Sequence, residues 1–303
     1  MKNDKIVVIG SSNTDMVIQT KKMPAPGETV LGGTFLMNAG GKGANQAVAA
    51  AKLEASVTFV GCRGNDVFGQ KANDELASVG IDTTHFREVE EVASGIATIT
   101  VDESGENSIV VASGANLHVS KEDIDTAKNA IQNASVVLLQ LEIPLPTVVY
   151  AAEEAHKMNK KVILNPAPFT DIPTTIFPNL FAITPNETEA FGLTNVKVSD
   201  EASAKKAAEV LFEKGVSNVI ITMGAQGAYL FNENGGKLIP TEKVKAVDTT
   251  AAGDTFNGAF ASAIAKGKTM EEAIKFANKA GALSVTKMGA QQSCPTLKEV
   301  EVL

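Results

Sequence analysis

Val136-Val137-Leu138-Leu139-Gln140-Leu141, then the Ala-rich stretch 147–158, then Lys161-Val162-Ile163-Leu164-Asn165 is the part of the chain that decides the fold. The outer two runs are apolar at nearly every position, as in strands covered on both faces, and the middle has helical spacing. Strand, helix and strand in this order form a parallel βαβ unit. The alternation extends in both directions, with further apolar runs at 5–10, 56–61, 180–184 and 218–223 and amphipathic stretches at 44–53, 121–132, 202–214 and 253–266. The expectation is an α/β protein, three layers α/β/α around a mainly parallel central sheet.

Two segments break this rhythm. In 27–38, and in 94–113, where 96–101 and 107–112 flank Glu103-Ser104-Gly105-Glu106, the alternation suits a half-exposed antiparallel sheet. They predict a small β lid, built from about 11–40 and 94–115 and inserted in the N-terminal half of a single domain spanning 1–303. A later hairpin, 228–231 and 237–239, is expected to extend the edge of the main sheet.

Composition narrows the function classes. The 303 residues carry a net charge of −8, and no Lys/Arg cluster exceeds a pair such as Lys21-Lys22, so a nucleic-acid footprint is missing. The lone thiols Cys62 and Cys294 lack CxxC spacing, no apolar stretch reaches the length of a bilayer span, and no signal peptide is recognisable. A cytoplasmic protein without membrane or nucleic-acid partners is expected. His85, His118 and His156 share no metal-ligand spacing.

In open α/β sheets ligands bind beyond the carboxyl ends of strands. Gly10-Ser11-Ser12-Asn13-Thr14-Asp15 follows the first strand and lacks the GxGxxG of a dinucleotide site. Asn13 and Asp15 there either present an amide and a carboxylate to adjacent hydroxyls or form an Asx-turn. Asn38-Ala39-Gly40-Gly41-Lys42-Gly43-Ala44-Asn45 precedes a helix without a Walker pattern; its glycines suit close approach to a ligand and tight packing equally. Val247-Asp248-Thr249-Thr250-Ala251-Ala252-Gly253-Asp254-Thr255-Phe256 runs into an apolar helix with small residues at the turn. Free N–H groups at Ala251, Ala252 and Gly253 would form an anion hole, and Asp254 beside it would accept a hydroxyl proton. The plainer reading makes Asp254 a favourable acid in a first helical turn.

The 40–45 and 248–256 segments together resemble the two signatures of the ribokinase-like carbohydrate kinases. The resemblance extends through Asn186-Glu187-Thr188-Glu189, Thr222-Met223-Gly224-Ala225-Gln226-Gly227 and Gly289-Ala290-Gln291-Gln292-Ser293. It implies a large α/β domain with a β lid and transfer of the ATP γ-phosphate to the 5-hydroxyl of D-ribose. Asn13, Thr14, Asp15, Gly41, Lys42, Gly43, Ala44, Asn45 and Glu142 would surround the sugar. Asp254 would be the base, and Ala251, Ala252 and Gly253 would hold the phosphoryl oxygens. For ATP it implies Asn186, the 222–227 residues (Thr222, Met223, Gly224, Ala225, Gln226, Gly227), Gly253, Asp254 and, more weakly, Asn278. Mg²⁺ would be organised by Glu189 through water. A monovalent cation, K⁺, would sit among Asp248, Thr250, Ser284, Lys287, Gly289 and Ser293, with Lys287 giving only its carbonyl. A homodimer formed through the lid is also expected. The alternatives are another sugar or nucleoside kinase of the family, acting on 2-deoxyribose or fructose for example, or a sugar sensor that kept the fold without catalysis.

Overall fold

The computed structural model describes residues 4–303; the first three positions of the expected 1–303 domain lie outside the described residues. In chain order, β1 (Lys5–Ile9) leads into β2 (Asn13–Gln19) and β3 (Thr34–Gly40). Then come α1 (Lys42–Lys52), β4 (Ser56–Gly64), α2 (Val67–Ser78), β5 (Asp82–Val89), β6 (Gly95–Val101) and β7 (Asn107–Ala112). The chain continues through α3 (Lys121–Thr126), α4 (Lys128–Asn133), β8 (Val136–Leu139), α5 (Leu145–Lys157), β9 (Lys161–Leu164), β10 (Ala182–Ile183), α6 (Glu187–Thr194) and α7 (Glu201–Glu213). It ends with β11 (Asn218–Thr222), β12 (Ala228–Asn232), β13 (Gly235–Ile239), α8 (Ala252–Ala265), α9 (Met270–Ser284) and α10 (Leu297–Val302).

Nine strands form one sheet in the order β13-β12-β11-β10-β9-β8-β1-β4-β5, parallel except for the β12 and β13 hairpin at one edge. Its central strands alternate between two cores. Val7 and Ile9 face the layer of α3 to α7, while Ile6 and Val8 face α1, α8 and α9, which gives the three layers. Capping fixes several helix starts: Asp200, Thr269 and Thr296 each accept an N–H from the first turn of the helix that follows.

The remaining strands form a separate sheet in the order β3-β2-β6-β7. It is mixed rather than antiparallel, because β2 and β6 pair in parallel. The reason is topological. β2 follows the parallel strand β1, and β6 follows the parallel strand β5, so both leave the large sheet at the same end and in the same direction. Other elements depart from expectation in local ways. Residues 13–15 lie in a strand, not a loop; the strand expected over 27–38 is confined to Thr34–Gly40; the 180–184 strand shrinks to Ala182–Ile183; and the 121–132 helix breaks at Ala127. No helix among the described residues is long and apolar enough to cross a membrane, and both cysteines are free and buried.

Candidate active site

Asn13 and Asp15 occupy alternate positions at the start of β2, so strand pleating turns both to one face and Thr14 to the other. The Asn13 amide is oriented from behind: Asn116 donates Nδ2 to Asn13 Oδ1 at 2.7 Å and to the Ser12 carbonyl at 3.2 Å, while Asn116 Oδ1 accepts the Ser12 N–H at 2.9 Å. Asn13 is thereby left with its NH₂ as the group to offer. The Asp15 carboxyl is raised to about 6 by burial and then by the negative fields of Glu142 and Asp254.

The glycine-rich turn before α1 is closely packed. Gly41 has a φ of +87°, and a Cβ on Gly43 would lie 2.6 Å from the Ser11 nitrogen. Three N–H groups of the turn are spent inside the protein. Lys42 N–H goes to Glu142 Oε2 at 2.9 Å, Gly43 N–H to Ser11 Oγ at 3.3 Å, and Ala44 N–H to the Ser11 carbonyl at 2.8 Å. Ala44 packs in the core. Glu142 Oε2 also accepts from Ser11 Oγ at 2.5 Å. Burial alone would lower the proton affinity of the Lys42 ammonium, but the fields of Asp254, Glu142 and Glu189 outweigh it and raise it.

Asp254 lies in the first turn of α8, almost wholly buried. Asn45 Nδ2 donates to its Oδ2 at 3.0 Å and Gln46 Nε2 to its Oδ1 at 2.9 Å. These donors reach it because α1 and α8 approach closely: a Cβ on Gly258 would lie 2.5 Å from the Gln46 carbonyl oxygen. Burial raises the Asp254 carboxyl, against the opposing effects of Lys42, Gln46 and Asn45. Asn45 Oδ1 is buried without a hydrogen-bond partner. At the head of the helix Ala251 takes the left-handed conformation, φ 57°, unusual for a residue with a Cβ. Ala252 N–H makes a long bond to the Thr249 carbonyl at 3.3 Å, and Gly253 faces open space. Access to the first-turn N–H groups is thus greatest at Gly253.

Asn186 and Glu189 form a reciprocal capping box at the start of α6: Glu189 N–H to Asn186 Oδ1 at 2.8 Å and Asn186 N–H to Glu189 Oε2 at 2.9 Å. The other Glu189 oxygen is left over, and burial raises this carboxyl. Thr222 bridges to Asn186, Met223 is core, and Gly224 opens a short exposed turn through Ala225 and Gln226, closed by Gly227 at φ 101°. Asn278 donates Nδ2 to the carbonyls of Ile239 and Pro240 at 2.9 and 3.2 Å, which leaves it only Oδ1 for a ligand.

The loop ahead of α8 is tied to the chain after α9. Asp248 accepts the N–H groups of Thr250 and Gly289, both at 2.9 Å, and Val247 N–H reaches the Val285 carbonyl at 2.7 Å. Ser284 and Ser293 are buried, each donating its hydroxyl to a carbonyl, at Gly281 and Ala290, and keeping oxygen lone pairs. Lys287 Nζ pairs with Glu299 at 2.7 Å. The donors gathered here are oxygens, the set a hard cation takes.

The sequence matches the pfkB family carbohydrate kinases over residues 3–297. It is 47% identical to a ribokinase of Haemophilus influenzae over 294 residues, 97% of this chain and 96% of that one. The chain belongs to the pfkB family of carbohydrate kinases. A deoxyribokinase of Salmonella typhi is 39% identical over 97% of this chain and 96% of its own. The structure of Arabidopsis thaliana ribokinase complexed with ribose and ATP superposes with a TM-score of 0.92 at 33% identity, covering 100% of this chain and 98% of that one. As a pfkB kinase the protein is a ribokinase-like, ATP-using sugar kinase. Its site also contains polar residues that motif reading passed over: Ser11, Gln46, Asn116, Gln140, Asn165, Thr184 and Asn257. Gln140 and Asn165 carried a readable signal, being single polar residues directly after the apolar strands β8 and β9.

Proposed function

We propose that the protein transfers the γ-phosphoryl group of ATP to the 5-hydroxyl of D-ribose. The observation that carries the sugar reading is the fixed pair on β2: an Asn13 NH₂, set by Asn116, beside the Asp15 carboxylate, donor and acceptor for neighbouring hydroxyls. A deoxy analogue would leave one of these buried groups unpaired. Lys42, Asn45 and Glu142 complete the sugar pocket.

Asp254 accepts the proton of the sugar O5–H as that oxygen attacks the γ-phosphorus, the bond to the β,γ-bridging oxygen breaks, and ADP leaves. Burial makes Asp254 a stronger base than an ordinary carboxylate, while Lys42 and the two amide donors keep it ionisable. The transition state of such a transfer is loose, so positioning and charge stabilisation dominate. Gly253 and its neighbours in the first turn of α8 receive the phosphoryl oxygens. Asn186, Thr222 and the 224–227 turn take the nucleotide.

Mg²⁺ fits beside Glu189, whose spare oxygen suits an ion that keeps several waters; bound there it would neutralise phosphate charge. K⁺ fits the oxygen donors of Asp248, Thr250, Ser284, Gly289 and Ser293, with the Lys287 carbonyl, and would steady the loop before α8. A second copy of the chain is the partner we assign to the face of the small sheet opposite Asn13 and Asp15, where Ile18, Phe35, Met37 and Val110 are exposed. An ADP-release assay with Mg²⁺ and K⁺ over a panel of sugars tests the substrate. D-ribose should have the highest kcat/KM; a higher value for 2-deoxyribose, the substrate class suggested by the deoxyribokinase relative, or for fructose or adenosine would overturn it.

A further inference from the structure

Beneath the site lies a run of polar side chains that the motifs do not mark. Gln46 on α1 and Gln140 just after β8 have no exposed surface. A carboxylate only accepts hydrogen bonds, so the edge of Gln46 that meets Asp254 must be its NH₂. Its Nε2 divides its two hydrogens between Asp254 Oδ1 and Asn165 Oδ1, both at 2.9 Å. Its Oε1 accepts from Gln140 Nε2 at 2.7 Å, which excludes the flipped amide. Asn165 Nδ2 then donates to the Thr184 carbonyl at 3.2 Å. The Thr184 hydroxyl donates to Asn257 Oδ1 at 2.6 Å, and Asn257 Nδ2 donates to the Gly253 carbonyl at 2.8 Å. That carbonyl belongs to the peptide joining Gly253 to Asp254. The path therefore starts on the Asp254 carboxylate, crosses the ends of β9 and β10, and returns to the backbone of the same residue.

We infer that Gln46 is a positioning residue for phosphoryl transfer, fixing the direction of the Asp254 carboxylate and tying it through Asn165, Thr184 and Asn257 to the first turn of α8. This rests on the assignment of Asp254 as the base. The ring holds the proton acceptor and the phosphoryl-binding turn as one rigid unit, so that neither reorganises during the reaction. It also bears on ionisation. The groups facing Asp254 are Lys42 from the start of α1, Glu142 from the segment after β8, Asp15 from β2, Glu189 from α6 and the Cys294 thiol. Of these only Lys42 is a cation favouring the charged carboxylate, which makes the Asn45 and Gln46 donors the other groups holding it against burial.

The test is the pH dependence of kcat in Gln46→Met and Gln140→Leu, with ribose affinity by calorimetry and thermal unfolding measured alongside. Gln140 touches Gln46 and its own Oε1 is unpartnered, so Gln140→Leu removes the group that fixes the Gln46 flip and leaves the buried Gln46 Oε1 without its donor. Gln46→Met should lower kcat by about 10–100-fold, leave the ribose Kd within about threefold, and move the acid limb of the profile up by about one unit, the loss of a charge-assisted bond. Gln140→Leu should move it the same way by less, and it decides the question if Gln46→Met does not fold. Asp254→Ala separates the two claims. If it abolishes turnover while the folded Gln variants keep the wild-type limb, the positioning role is wrong and the base stands; if it turns over normally, the base assignment falls and the inference with it.

Discussion

All four residues of β8 in the large sheet are buried, whereas all six of β7 in the small sheet are exposed. The first sheet is sealed between two helical layers, and its polar groups at the carboxyl ends are locked in a hydrogen-bonded ring with Asp254. The second has apolar residues facing solvent, and its one deep polar feature is the start of β2, where Asn13 and Asp15 point into the site. The difference suggests a division of labour. On the function proposed above, the groups that carry out chemistry stand on a helix start packed against the large sheet, and the Asn13 and Asp15 pair that reads the sugar stands where the small sheet joins it.

The sharpest way to break that division is at Asp254. Asp254→Ala should reduce kcat by about 10²–10⁴-fold with ribose binding retained, as steady-state kinetics and calorimetry would reveal. A loss of affinity with kcat intact would instead make Asp254 a sugar-reading group.

Asp15→Asn tests the other half. It should raise the ribose KM by about 100-fold, because a half-buried acceptor of hydroxyls becomes a mixed donor and acceptor. Its effect on the free protein has the opposite sign. The Asp15 carboxyl is raised from 3.8 to about 6, so its contribution to stability is complete below 3.8 and is lost as pH rises through about 6. Above pH 6 the ionised group is a liability, and Asp15→Asn should raise the Tm of ligand-free protein at pH 8 by about 2–4 °C while changing little at pH 4. An unchanged Tm at pH 8 would mean that burial and the fields of Glu142 and Asp254 do not penalise the ionised Asp15 carboxylate.

The smallest effect belongs to the outer face of the small sheet. Phe35→Asp with Val110→Asp should convert a dimer to a monomer in sedimentation experiments and raise the ribose KM a few-fold, with kcat near wild type. A wild-type sedimentation profile would leave that face without the partner assigned to it.

What was readable in the chain follows the same boundary. β8, α5 and β9 were plain because a strand covered on both faces is apolar throughout and a helix on one face is periodic. β2 was not, since Asn13, Thr14 and Asp15 at its start look like turn residues; only pairing with β3 and β6 makes them a strand. β5, an edge strand with Asp82, Arg87 and Glu88, has the same polar disguise. In the site, Asp254 and Gly253 were marked by the small residues of their turn. Gln46 and Asn257 were not, because an amide in an Ala-rich helix looks like a surface position until the fold brings the two helices together. The glycines at 41 and 43 were visible but ambiguous, and the structure shows close backbone packing at both.

The division between the two sheets is tested most directly by the single-turnover rate of phosphoryl transfer at saturating ribose, in Asp254→Ala and Asp15→Asn side by side. Asp15→Asn, once filled with sugar, should transfer phosphate within about tenfold of wild type, while Asp254→Ala should be slower by about 100-fold or more. Equal rates in the two variants, or the reverse order, would contradict it.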